Sequence, residues 1–202
     1  MPTRPCLVLD LDNTLICSVP LEQYNKTNVR LRLNQYAREA GVHSKRAYMH
    51  GLFMVYARPG LDEFLESVFE HFNVVIFSMA SLSYAWWVIR KFILGSTPQI
   101  VSRRRKHILA VLSEPQCALS QQYASKKSST NGSPKYLEWL FREHPELKID
   151  PKRTWFLDDL EVVRKANPIQ AIYTPAFDVL KKDSGSDTFL WNVRDELKQK
   201  HQ

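Results

Sequence analysis

Four short stretches of the 202-residue sequence carry side chains that could do chemistry together. Asp10-Leu11-Asp12-Asn13-Thr14 follows the apolar run Leu7-Val8-Leu9. Ser78 follows Val74-Val75-Ile76-Phe77, and Asp158-Asp159 follows Thr154-Trp155-Phe156-Leu157. Lys135 comes just before that last run and follows Ser133-Pro134, which read as an N-cap and a first-turn proline for a helix to Glu143. The set contains a candidate nucleophile, an acid/base, a hydroxyl donor, a cation and a carboxylate pair able to hold a metal.

These side chains can meet only if the runs before them are neighbouring strands. Short continuous apolar runs read as strands buried on both faces, typical of parallel sheets. We expect strands at Leu7–Leu9, Met49–Ala57, Val74–Phe77, Ile108–Leu112, Thr154–Leu157 and Ile169–Tyr173. Helices are expected within Tyr24–Gly41, after Pro59-Gly60, over Leu82–Leu94 with Trp86 and Trp87 in the core, from Lys135 to Glu143, and over Phe189–Lys200. The alternation predicts an α/β Rossmann-like parallel sheet flanked by helices, whose chemistry collects at the carboxyl ends of the strands. Residues 1–202 form a single domain on this reading. Ser18–Ala57 interrupts the alternation as a small insert after the first strand. Ser125–Ser133 reads as a loop of Lys, Ser, Thr, Asn and Gly.

The motifs resemble those of the haloacid dehalogenase (HAD) superfamily of phosphatases, whose first motif is DxDxT. Asp10, Asp12 and Thr14 match that motif, Ser78 the second, Lys135 the third, and Asp158 and Asp159 the fourth. Arg58-Pro59-Gly60 through Phe64-Leu65, and Phe77-Ser78-Met79-Ala80-Ser81 through Tyr84-Ala85, are similar to segments of its SCP/FCP branch, the NLI-interacting-factor-like phosphatases. That branch includes phosphatases of the RNA polymerase II C-terminal tail. Departures are Ser78 where Thr is usual, Asp159 where small members have Asn, and Asn13 where Glu is common.

The resemblance implies a HAD-like fold with a small β insert. It also implies a Mg²⁺-dependent protein serine/threonine phosphatase acting through an aspartyl-phosphate. Asp10 is then the nucleophile and Asp12 the general acid/base, with Ser78 and Lys135 on the phosphate. The metal ligands are Asp10, the Asp12 backbone carbonyl and Asp159, with Asp158 as alternate or outer support. A carboxylate nucleophile is repelled by an anionic phosphate ester, and a divalent cation between them removes that penalty. Arg58, Phe53, Val55 and Tyr56, with Leu52, Val19 and Leu21, are candidates to line an apolar pocket for a Pro-containing phosphopeptide. Arg58 could equally pair with a carboxylate such as Glu63.

Composition bounds the rest. There are 28 Lys+Arg against 21 Asp+Glu, a net charge of +7 that favours anionic partners. A phosphoprotein or phosphopeptide is the first choice and nucleic acid the second. Alternative readings are a small phosphometabolite, a nucleic-acid 3′-phosphate, or a catalytically weak binding module. Three cysteines without a CxxC pair suit a reducing interior, so we expect an intracellular, nuclear or cytoplasmic protein. No run is long and apolar enough for a membrane span, and no signal peptide is read at the start. The basic run Arg103–Lys106 reads as a solvated loop or as a targeting or acidic-partner element. Oligomeric state is left open.

Overall fold

The computed structural model describes residues 4–41, 46–127 and 135–200. In chain order these form β1 (Cys6–Leu9), β2 (Ile16–Pro20), α1 (Thr27–Glu39), β3 (Ala47–His50), β4 (Phe53–Ala57), α2 (Leu61–His71) and β5 (Asn73–Phe77). Then come α3 (Leu82–Val88), a π-helical turn Ile89–Ile93, α4 (Pro98–Arg105), β6 (Ile108–Leu112), α5 (Glu114–Lys127) and α6 (Leu137–Glu143). The chain ends with β7 (Thr154–Asp158), α7 (Glu161–Ala166), β8 (Ala171–Tyr173) and α8 (Phe189–Lys200). It divides into two compact units: the chain up to Leu11 with Val68–Thr174, and Asp12–Ser67 with Pro175–Lys200. No described helix is long and apolar enough to cross a membrane.

The first unit is the expected α/β sheet. Its five strands run in the order β6-β5-β1-β7-β8, and every adjacent pair is parallel. Alternation along the strands sends Cys6, Val8, Val75, Phe77 and Phe156 to one face, where Cys117, Leu137, Leu140 and Val163 of α5, α6 and α7 cover them. Leu7, Leu9, Val74, Ile76 and Leu157 point to the other face and are also fully buried. That double burial is why these strands read as unbroken apolar runs. The chain winds outward from β1 through β5 to β6, then returns to the other side of β1 for β7 and β8. The order therefore reverses between β1 and β7, the place where such sheets open a crevice at their carboxyl ends.

The second unit holds the antiparallel sheet β2-β4-β3. Its core gathers Cys17, Val19, Val29, Leu33, Tyr36, Tyr56, Phe177 and Val179. Tyr36 satisfies its buried hydroxyl by donating to the Ala57 carbonyl at 2.5 Å, and its ring meets Tyr56 edge-on at 5.9 Å. Gly60 has φ +78°, and a Cβ there would come within 2.8 Å of the Trp191 ring. Both the left-handed backbone and the close approach require glycine.

Several expectations are corrected. Met49–Ala57 is two strands, β3 and β4, joined by a turn at Gly51-Leu52. The last strand starts at Ala171, and Ile169 is exposed. Ser125 and the two lysines after it belong to α5, while the rest of the expected loop, with Ser133-Pro134, lies outside the described residues. The basic run is not a loop: Arg103, Arg104 and Arg105 form the last turn of α4, and Lys106 is its C-cap. Thr97 caps α4, and Arg104 is buried, donating to the Ile93 carbonyl at 2.7 Å. Trp86 and Trp87 are only half-buried, because they flank the buried stripe of Ala85 and Val88.

Candidate active site

Register dictates what meets at the carboxyl edge of the first unit. Leu9 pairs with Ile76 of β5 and with Leu157 of β7. One residue further, Asp10 and Asp158 therefore stand side by side on strands about 4.8 Å apart. The Asp10 N–H continues the ladder by donating to the Leu157 carbonyl at 3.0 Å. Ser78 follows β5 and donates its N–H to the Leu112 carbonyl at 3.0 Å.

Lys135 closes the edge from above. It is 1% exposed, and its Nζ lies 2.5 Å from Asp10 Oδ1 and 2.7 Å from Asp158 Oδ2. Burial alone would lower the pKa of this ammonium, but the two carboxylates outweigh it and hold it above the ordinary lysine value. Burial, with the Asp10 charge beside it, pushes the Asp158 carboxyl up to about 7, against the pull of Lys135 and the Leu160 N–H. Both Asp158 oxygens are engaged, since Oδ1 accepts the Leu160 N–H at 2.8 Å. Asp159 is half-buried. Carboxylate oxygens of Asp10, Asp158 and Asp159 all lie within 4.8 Å of one another. Three carboxylates against one ammonium leave a surplus of negative charge on hard oxygen donors, a set that fits Mg²⁺.

The Ser78 hydroxyl accepts the Ala80 N–H at 3.2 Å, which folds the segment into a tight turn. The cap of α3 is Ser81, whose hydroxyl accepts the Tyr84 N–H at 3.4 Å.

In the second unit, Asp12 is half-buried and accepts from the Ser18 hydroxyl at 3.3 Å. The turn after it is pinned at Asn13, where φ is +60°. Asn13 donates its N–H to the Ile16 carbonyl at 2.7 Å and accepts the Phe177 N–H at 2.6 Å. Thr14 is fully buried.

Arg58 departs from the expectation. Its side chain is 0% exposed and pairs with Asp187 at 2.8 Å, not with Glu63. Nη1 donates to the carbonyls of Thr14 at 3.1 Å and Pro175 at 3.0 Å, and the guanidinium lies 4.4 Å over the Phe189 ring. Arg58 is therefore a buried brace of the Asp12–Thr14 turn. The expected pocket is corrected likewise. Tyr56 and Val19 face the core of the second unit and Val55, on the opposite face of β4, is also buried, whereas Met49, Leu52 and Phe53 are exposed around the β3–β4 turn.

The sequence reading missed two contributors. Cys117 lies on α5 with its thiol 3.3 Å from the Ser78 carbonyl, and burial pushes that thiol up to about 12. Asn167, 3% exposed, holds the backbone on either side of Tyr136. An asparagine just after a helix, before proline, gives no sequence signal beyond a C-cap.

The profile of the NLI interacting factor-like phosphatases matches residues 5–202. The chain belongs to this family. Two curated relatives of this NLI interacting factor-like phosphatase are viral. CTD phosphatase-like protein 355R of Invertebrate iridescent virus 6 is 30% identical over 191 residues, 95% of this chain and 96% of the relative. Its namesake in Invertebrate iridescent virus 3 is 29% identical, covering 96% and 95%. Among solved structures, Fcp1, an essential RNA polymerase II CTD phosphatase, is similar at 20% identity and a TM-score of 0.49. That alignment covers 97% of this chain and 49% of the Fcp1 chain.

Proposed function

We propose that this family member is a Mg²⁺-dependent phosphoprotein phosphatase that forms a phosphoryl-enzyme on Asp10. The observation that carries the reading is the clamp of Lys135 between Asp10 and Asp158, with Asp159 completing an oxygen cluster. The Lys135 ammonium at 2.5 Å fixes the orientation of the Asp10 carboxylate for attack.

Asp10 attacks phosphorus while the bond to the leaving oxygen breaks. Asp12, two residues along, gives its proton to that oxygen as general acid. It then takes a proton from the water that attacks the phosphoryl group and releases Asp10. Ser78, whose oxygen already accepts the Ala80 N–H, donates its hydroxyl proton to a phosphate oxygen. Lys135 offsets charge on the transferring group. Asp10 and Asp159 would hold Mg²⁺, with the Asp12 backbone carbonyl as a further ligand. Asp158, spent on Lys135 and the Leu160 N–H, supports them from behind. When bound, the cation neutralises negative charge shared by nucleophile and phosphate.

For the substrate we favour phosphoserine or phosphothreonine in an extended, Pro-containing segment. The polymerase C-terminal tail is the example that the family likeness suggests. Leu52 and Phe53, with Met49, offer exposed apolar surface for such a segment. The test is a panel of phosphopeptides, nucleotide phosphates and an aryl phosphate, each with Mg²⁺ and with EDTA. Phosphopeptide turnover that needs Mg²⁺ and is lost in Asp10→Asn supports the reading. Faster turnover of nucleotide phosphates, or activity surviving EDTA, overturns it.

A further inference from the structure

Lys135 is a long, flexible side chain that must reach two carboxylates at once, so something has to fix its backbone. The segment that carries it has no cap of its own: Tyr136 stands at the N-cap of α6 and makes no side-chain cap hydrogen bond. The orphan backbone groups there are met by side chains from two other helices. The Tyr136 N–H donates to the Ser120 hydroxyl of α5 at 2.8 Å. Asn167, which ends α7, does the rest with a single carboxamide. Its Oδ1 accepts the Leu137 N–H at 2.8 Å, and its Nδ2 donates to the Lys135 carbonyl at 2.9 Å and to the Val163 carbonyl at 2.8 Å.

This pattern leaves one orientation for the amide. The reverse would face an NH₂ group against the Leu137 N–H and an oxygen against two carbonyls. It also defines what the residue ties together. Val163 belongs to α7, the helix that follows Asp158-Asp159. Lys135 is the cation between Asp10 and Asp158. One buried side chain therefore locks the lysine-bearing segment to the element that follows the carboxylate pair.

We propose that Asn167 is a positioning residue for the phosphatase reaction, acting through Lys135 by fixing the backbone from which its ammonium reaches Asp10. The role rests on the phosphatase reading above. Aspartate is the sharpest probe. Asn167→Asp keeps the shape and the acceptor for Leu137 but sets an oxygen against the Lys135 and Val163 carbonyls. Alanine removes all three bonds.

A misplacement of about 1 Å in such a group costs on the order of 100-fold in rate. We expect Asn167→Asp and Asn167→Ala to lower kcat by about 30–100-fold per folded molecule, with KM within about threefold. The decisive measurement is a double-mutant cycle with Lys135→Met. If Asn167 acts through Lys135, its replacement costs nothing further once the ammonium is gone. Val68→Ala, a buried change on α2 away from the latch, controls for destabilisation and should keep kcat per folded molecule. Hydrogen exchange reads the latch without any activity: the Leu137 amide should lose at least about tenfold protection in Asn167→Ala. Additive losses in the cycle, or an equal kcat loss in Val68→Ala at matched stability, overturn the proposal. So does unchanged Leu137 protection. A wild-type protein without phosphatase activity instead defeats the reading it rests on, and the exchange result still reports whether the latch exists.

Discussion

Replacing Lys135 by methionine keeps a stem of similar length and removes the charge. Asp10 and Asp158 are 4% exposed each, so the variant leaves two carboxylates facing each other with little solvent. Removing one partner of a buried ion pair costs about 3–5 kcal/mol. For a chain of this size that is a melting-point drop of about 6–20 °C. The cost should depend on pH in a definite direction. Asp158 is already raised to about 7 in the folded protein, so the folded state holds a proton there that the unfolded chain releases more readily. The stability this group contributes is therefore present below the ordinary carboxylate pKa and is lost as pH rises toward 7. Without the ammonium the carboxyl moves higher still, and protonation near pH 5.5 relieves most of the repulsion. Urea unfolding of wild type and Lys135→Met without Mg²⁺, at pH 5.5 and 7.5, measures this. We expect the full loss at pH 7.5 and a clearly smaller one at pH 5.5. A loss under about 1 kcal/mol at pH 7.5, in the range of an exposed pair, would refute the reasoning, as would equal losses at both pH values.

Other expectations follow from the same geometry. Mg²⁺ at 100 times its dissociation constant should stabilise the wild type by about 2.7 kcal/mol, and Asp159→Asn should abolish most of that gain in a thermal melt. Asp187→Ala strands the buried Arg58 guanidinium and should cost about 3 kcal/mol, near the low end for buried pairs because Asp187 is partly exposed. A melting point within 1–2 °C of wild type would argue against the brace. Gly60→Ala should destabilise by more than about 1 kcal/mol through its positive φ and the Trp191 contact. Adding Trp191→Ala should recover only the steric part. Leu52→Asp lies on an exposed turn and should leave the melting point and aryl-phosphate turnover unchanged while raising KM for an apolar phosphopeptide. Equal KM values for that peptide would remove the β3–β4 turn from the substrate surface.

The parts of the fold that were legible are those where continuous apolar runs wrote an unmistakable pattern, buried on both faces in β1 and β5. β1, β5, β6 and β7 read directly from Leu7-Val8-Leu9, Val74–Phe77, Ile108–Leu112 and Thr154–Leu157, and their polar ends marked the edge where Asp10, Ser78 and Asp158 lie. Helices α4 and α5 were illegible for identifiable reasons. On α5 the inward residues include Cys117, Ser120 and Ala124, small or polar side chains that give little apolar periodicity. On α4 the buried residue is Arg104, which packs its guanidinium over Phe69 at 5.5 Å and so looks like part of a surface charge run. The insert gives no clear signal for a pocket, because apolar strand residues such as Val19 and Tyr56 look the same in sequence whether they face a ligand or, as here, a core. Ser133-Pro134 predicts a helix start at Lys135, yet α6 begins at Leu137. Its partner Asp10 is 125 residues away, and no local pattern encodes a contact of that range.

The most direct measurement is a chemical trap of the phosphoryl-enzyme. Borohydride added during turnover with Mg²⁺ reduces an acyl phosphate to the alcohol, converting an aspartate into homoserine that peptide mass spectrometry can locate. We expect homoserine at position 10 alone, dependent on substrate and Mg²⁺ and absent when EDTA is present. Turnover with no modification at Asp10, or with modification at Asp12, Asp158 or Asp159 instead, would contradict Asp10 as the nucleophile.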